Sequence, residues 1–347
     1  MEIANVPKNT AQVIKKIELI DFLKGFSIFT IVWMHYLMNV SLPGIVAKLI
    51  PFGGTGIHVF LFVSGFGLYL ANSKKSLPYW QFVKKRFLKI YIPVTLTVLL
   101  IFIISIFIPI YPLSFYALMG HILLYKMFDE SIIGSYGYQF WFVSTIIQLY
   151  LVFPLIIKLE QKVSIKKLVF IAFAISICWS STVLFLGKAD LRVWNSFFLQ
   201  FLWEFVLGMF VANQYIYKGF TFEKISWLVL SGLTILGLIS FFTLATQLGV
   251  VGKMLDDLPA LVGYLGLAVV IYRLNIKVVN QFFLKIGDLS FQFYLLHFCF
   301  MSIAILGSKK FGYSFNIISC IILFCFTYLI ALVTNKLINK LYKALPF

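Results

Sequence analysis

The sequence predicts an all-α, polytopic integral membrane protein of about ten transmembrane helices, and three observations carry that prediction. The first is composition. Of 347 residues, 61% are apolar and only 12% are charged, against roughly a quarter charged in an ordinary soluble domain, so too little polar surface exists to face water on every side. The second is that the apolar residues fall in runs near the ~20 residues that cross a bilayer as a helix. The third is that the basic residues recur in short clusters between those runs, the pattern that orients membrane helices. The formal net charge of +17 is thus a topology signal. No single stretch gathers it into a nucleic-acid surface, and nucleic acid is not an expected partner, whereas membrane lipid is.

Ten runs qualify as spans: 18–40, 55–72, 90–110, 140–158, 168–186, 196–214, 226–245, 258–273, 288–306 and 315–335. A further stretch, FYALMGHILLYKMF at 115–128, is shorter and carries His121 and Lys126. Runs of that length are usually re-entrant or interfacial. Charge decides whether it counts. With ten spans and a cytoplasmic N-terminus, all 29 Lys and Arg lie on the cytoplasmic side except Lys48, Lys126, Lys188, Arg192, Lys253, Lys309 and Lys310. An eleventh span at 115–128 would put the 158–167 cluster and every later one on the wrong side.

The expected organisation is therefore a cytoplasmic leader at 1–17, one membrane domain at 18–338 and a cytoplasmic tail at 339–347. The leader has no signal-peptide cleavage pattern, and no internal repeat is visible. Cys178, Cys299, Cys320 and Cys325 all sit in apolar runs, where thiols pack as small hydrophobes. Without a spacing such as C-x-x-C, no metal is expected.

Ionisable side chains at membrane depth are costly and mark functional sites by default. The first span, DFLKGFSIFTIVWMHYL, holds Asp21, Lys24 and His35. Lys24 and His35 are eleven residues apart, close to three full turns, so they share a face about 16 Å apart along the axis. Such a face offers a cation for an anionic ligand at one end and an imidazole for acid–base chemistry at the other. The ordinary alternative is a lysine snorkelling to headgroups and a histidine bonded to a neighbouring helix. The second span has His58 near its outer end, expected as an interfacial side chain, and Ser64-Gly65-Phe66 at mid-depth. Small residues there point to close helix packing, with Ser64 also a candidate donor. The segment SKKSLPYWQFVKKRFLKIYIPV carries six basic residues, of which Arg86 and Lys89 are the better candidates for holding phosphate. Anionic lipid is the alternative ligand. Glu204 is the acid nearest the middle of a span and needs a partner or a wet cavity. His297, one turn after Tyr294, is also mid-span. An enzyme with a reaction chamber and a transporter with a substrate path both fit this pattern.

Five segments in order resemble the acyltransferase-3 family of bacterial multi-pass membrane acyltransferases. Lys24, Gly25 and His35 stand where the family has an arginine-glycine pair and a histidine eleven residues after the arginine. FLFVSGFGLYL resembles its aromatic-rich segment ending in Ser64-Gly65-Phe66. RFLKIYIP resembles its basic motif and proline through Arg86, Lys89 and Pro93. Trp141, Ser144, Tyr150 and Pro154 match its Trp-led fourth helix, and LSFQFYLLH matches its late Tyr-Leu-x-His at Tyr294, Leu295 and His297. Lysine replaces arginine at Lys24 and Lys89, keeping charge but losing the bidentate fork. Ile146 stands where relatives acting on peptidoglycan or O-antigen carry a glutamate, which leans toward capsules, exopolysaccharides and related glycans. The hydrolase-like domain that some members append is not expected here.

The resemblance implies transfer of an acyl group, acetyl above all, from acyl-CoA to a hydroxyl of a cell-surface or exported carbohydrate, in the bacterial plasma (inner) membrane. Acetyl-CoA is then the expected acyl donor, and acyl-CoA and the carbohydrate acceptor the expected partners. Lys24, Arg86 and Lys89 are the expected phosphate contacts. His35, Ser64, Glu204 and His297 are the expected catalytic set, with His35 as base or transient acyl carrier and a backbone amide near Gly65 as an oxyanion donor. The alternative is a transporter or flippase for glycan intermediates. No oligomeric state is implied.

Overall fold

The computed structural model describes residues 17–344. The expected leader (residues 1–16 of it) and the last three residues of the tail lie outside the described residues. Among those described there is no strand. The chain is a bundle of α1 (Glu18–Leu37), α2 (Gly44–Leu49), α3 (Gly56–Lys74), α4 (Tyr79–Phe107), α5 (Phe115–Ile122), α6 (Trp141–Glu160), α7 (Ile165–Phe185), α8 (Arg192–Asn195), α9 (Phe198–Lys218), α10 (Trp227–Gln247), α11 (Gly249–Leu255), α12 (Asp257–Arg273), α13 (Lys277–Asp288), α14 (Ser290–Phe311) and α15 (Ile317–Ala344).

Each of the ten runs becomes a helix, namely α1, α3, α4, α6, α7, α9, α10, α12, α14 and α15. Eight helical stretches are long and apolar enough to cross a membrane, and a ninth if α11 and α12, bent by 62° to each other, count as one broken span. The remaining run is α1, made more polar by Glu18, Asp21, Lys24 and His35. It is tolerated because protein surrounds it: α1 packs on α3, α12, α13, α14 and α15. The outer surface is apolar instead, with Phe107, Phe170, Leu228 and Ile318 exposed, as a lipid-facing surface requires.

Glycine sets the closest approaches. A Cβ on Gly65 would lie 1.9 Å from the Phe205 carbonyl oxygen, and one on Gly208 2.0 Å from that of Phe62. The backbones of α3 and α9 therefore touch, and this is the most extensive helix pair among the described residues. Gly25 and Gly287 do the same for α1 and α13.

Two elements depart from expectation. Between the spans at 258–273 and 288–306 the chain forms the amphipathic helix α13, whose Phe283 and Ile286 are buried against α1. The chain before α3 coils through α2 and a 3₁₀ turn at Ile50–Thr55, where Gly53 and Gly56 lie against the backbone of Thr30 and Ser27. Consequently α3 starts beside the middle of α1, and His58 is carried inward rather than to an interface. The 115–128 stretch is short as expected, as α5 followed by a 3₁₀ turn at Tyr125–Phe128. Of the cysteines, Cys299 and Cys320 are buried but Cys178 and Cys325 are exposed. Those two belong to the apolar outer surface.

Candidate functional site

His35 and His297 meet. Helix α1 carries His35 in its last turn, and α14 carries His297 two turns from its start, with none of its surface exposed. His297 Nδ1 lies 3.0 Å from the Phe293 carbonyl oxygen and 2.8 Å from that of Tyr294, and its Nε2 lies 3.1 Å from His35 Nδ1. The partners assign the protons. A carbonyl oxygen only accepts, so His297 Nδ1 bears hydrogen and its Nε2 carries the lone pair. His35 Nδ1 must then donate to it, which leaves the lone pair of His35 on Nε2. His35 is partly exposed, with the edge of Phe298 against its ring at 4.5 Å between centroids and its backbone carbonyl accepting from Asn39 Nδ2 at 2.8 Å. An oriented imidazole with a free, accessible nitrogen is what a general base or a nucleophile requires.

A second group joins three of the motif segments. The Ser64 hydroxyl lies near the Tyr150 phenol, which also feels the charge of Arg86. One turn on, Lys89 lies within electrostatic reach of Arg86 and Lys85. No carboxylate pairs with these three cations among the described residues. Lys24 differs: its Nζ is 3.2 Å from Asp21 Oδ1, so its charge is shared within α1. Gly65 is no oxyanion donor. It sits deep inside α3, where its N–H is spent on the helix and its α-carbon faces Phe205.

Glu204 joins neither group. Fully buried, its Oε1 lies 2.7 Å from His58 Nδ1, and His58 Nε2 faces Asp257 Oδ1 at 3.9 Å. This corrects the interfacial placement of His58, which is only 9% exposed. The cause is the coiled entry into α3. Asp257 itself was not singled out in the sequence. Its one signal is a pair of acids heading an apolar run with proline two residues on, which reads as an ordinary span end.

A fourth group lies between α4 and α6. Lys126 is 4% exposed, its Nζ 3.3 Å from His121 Nε2 and 5.5 Å from the Phe140 ring centre. His121 Nε2 also lies 3.0 Å from the Ser135 hydroxyl. Burial pushes Lys126 down to about 7. Burial first, and then the Lys126 charge, push His121 well below the usual imidazole range. Neither residue belongs to a motif, so spacing alone gave no reason to choose them.

The four expected catalytic residues thus separate. His35 and His297 form one site, Ser64 stands with Tyr150 and Arg86, and Glu204 stands with His58. A family model described as an acyltransferase domain matches residues 17–336, nearly the whole chain. No curated protein and no solved structure matches it.

Proposed function

The chain belongs to the acyltransferase-3 family and is a multi-pass membrane acyltransferase; from that premise we propose that it moves an acyl group, acetyl foremost, from acyl-CoA to a hydroxyl of a cell-surface or exported carbohydrate in the bacterial plasma membrane. The observation that carries the proposal is the proton order of the histidine pair. His297 holds His35 with Nε2 unprotonated, and a sugar hydroxyl needs a base of that kind near neutral pH.

In the direct form of the reaction, the acceptor hydroxyl gives its proton to His35 Nε2 as its oxygen attacks the thioester carbonyl. The C–S bond then breaks, and the imidazolium returns the proton to the departing thiolate. As positive charge builds on His35, its Nδ1–H bond to His297 strengthens, so His297 is a positioning residue. In the two-step form, Nε2 attacks the thioester carbonyl and the C–S bond breaks to release the thiolate; the acceptor hydroxyl then attacks the acyl carbon, the bond to Nε2 breaks, and the hydroxyl proton goes to the released thiolate. The same geometry serves both.

On the donor side, Arg86 and Lys89, with Lys85, gather like charge with no carboxylate among them. Polyphosphate neutralises such a cluster through charge-assisted bonds, which supports their holding the CoA phosphates. Ser64 and Tyr150 lie beside Arg86 and would supply hydroxyl contacts there. Lys24, already paired with Asp21, contributes less. Glu204 has no part in this scheme.

The test uses detergent-purified protein supplied with acetyl-CoA and an oligosaccharide acceptor, with free thiol as the readout. Acceptor-dependent thiol release from the wild type, lost in His35→Ala at equal protein, is the expected result. Release by His35→Ala at the wild-type rate would rule out the assignment.

A further inference from the structure

The cluster of His58, Glu204 and Asp257 is left unused by acyl transfer. It holds two carboxylates and one imidazole where an apolar bundle tolerates little charge. One ligand atom from each residue can be chosen so that all three lie within 4.8 Å of one another. Asp256, next in the chain, interacts with His58 first and with Lys253 after it, so it borders the cluster without supplying one of its three ligand atoms.

Two further observations point to a ligand. Glu204 is fully buried, and its Oε2 has no hydrogen-bond partner among the described residues. A buried, unsatisfied carboxylate oxygen is expensive unless something positive meets it. The second is backbone geometry: Asp257 stands at the 62° break between α11 and α12. Broken helices inside membranes are where ions are held, because freed backbone and side-chain oxygens converge there.

We propose that His58, Glu204 and Asp257 bind one divalent transition-metal cation, of which zinc best suits the donors. An imidazole nitrogen with two carboxylate oxygens is a borderline set that favours zinc or manganese over magnesium or calcium. Zinc takes N and O ligands at about 2.0–2.2 Å, so the 3.9 Å between His58 Nε2 and Asp257 Oδ1 would close by a few tenths of an ångström around the cation, and the His58 Nδ1–Glu204 Oε1 bond would open to let Glu204 ligate. The other Asp257 oxygen is already occupied. Gln200 Nε2 donates to Oδ2 at 2.6 Å and reaches back to the Met254 carbonyl at 3.4 Å, which turns Oδ1 toward His58. Outer contacts of that kind orient metal-ligating carboxylates. With neutral His58, the two carboxylates balance one dication. The cation then pins the broken α11–α12 span to α3 and α9.

The experiment measures metal per chain by plasma mass spectrometry on detergent-purified wild type, His58→Ala and Asp257→Asn. Each is stripped with chelator, re-supplied with zinc chloride and desalted. About one zinc per wild-type chain is expected, with retention at least tenfold lower in both variants and a zinc-dependent rise in melting temperature for the wild type alone. Asp257→Asn keeps shape and the Gln200 contact, so it stands in if His58→Ala fails to fold. A wild type that retains no zinc, or variants that retain as much as the wild type, would overturn the site.

Discussion

A neutral imidazole can act as a base at only one nitrogen, and for His35 the choice falls to a residue 262 positions away. Replacing His297 with leucine removes the acceptor for His35 Nδ1–H and frees both tautomers. We expect kcat to fall roughly 10- to 100-fold with KM for the acyl donor little changed, as when a group aiding only the transition state is lost. His297→Gln, whose amide oxygen can accept the same proton, should recover part of that loss. Equal effects on kcat and KM in the leucine variant would mean that His297 merely packs. Lys126 makes a separate prediction at this scale. Burial lowers its pKa from 10.5 to about 7, so between those pH values the unfolded chain holds a proton that the folded chain lacks. Stability should then rise with pH across that window. Lys126→Met should flatten the rise in thermal unfolding at pH 7 and pH 10, and identical slopes in both proteins would contradict the burial argument. Lys24 and His35 were legible in the sequence because one helix with a known pitch relates them. The His58–Glu204 bond was not, because it joins side chains 146 residues apart on helices whose pairing no spacing records.

Among the described elements, the most extensive packing is the contact of α3 with α9, and small residues set it. Membrane helices gain little from burying apolar surface against one another, so close van der Waals contact and hydrogen bonds must hold them. Gly65 and Gly208 let the two backbones touch, which brings Ser64 and Glu204 to their positions. Gly65→Val should lower the melting temperature in detergent, at a cost of about 1–3 kcal/mol or more for overpacking. Gly67→Val, where a Cβ meets nothing within 4 Å, should change it little. Equal stability of the two variants would mean that this contact is not the one holding the pair. The spans themselves were readable from length and hydropathy. The amphipathic α13 and the bend before α12 were not, because both are set by what they pack against. Helix α13 is half polar in sequence and becomes a buried brace only beside Gly25 of α1.

For the whole molecule, a charged α1 sits at the centre of an apolar bundle, with α14 supplying the second histidine and α4 a cluster of cations. The ordered motifs anticipated all three because each lies within one helix. Glu204, chosen for its depth in a span and belonging to no motif, was expected with His35, and the fold pairs it with His58 instead. The proposed function requires His35 for acylation of the cell's surface glycan and not for folding. The most direct measurement is mass spectrometry of that polysaccharide from cells carrying wild type, His35→Ala or no protein, with membrane levels of the two proteins matched. The account predicts acyl substituents in the wild type and their loss in His35→Ala to the level of cells without the protein. Full acylation in the His35→Ala cells would contradict it.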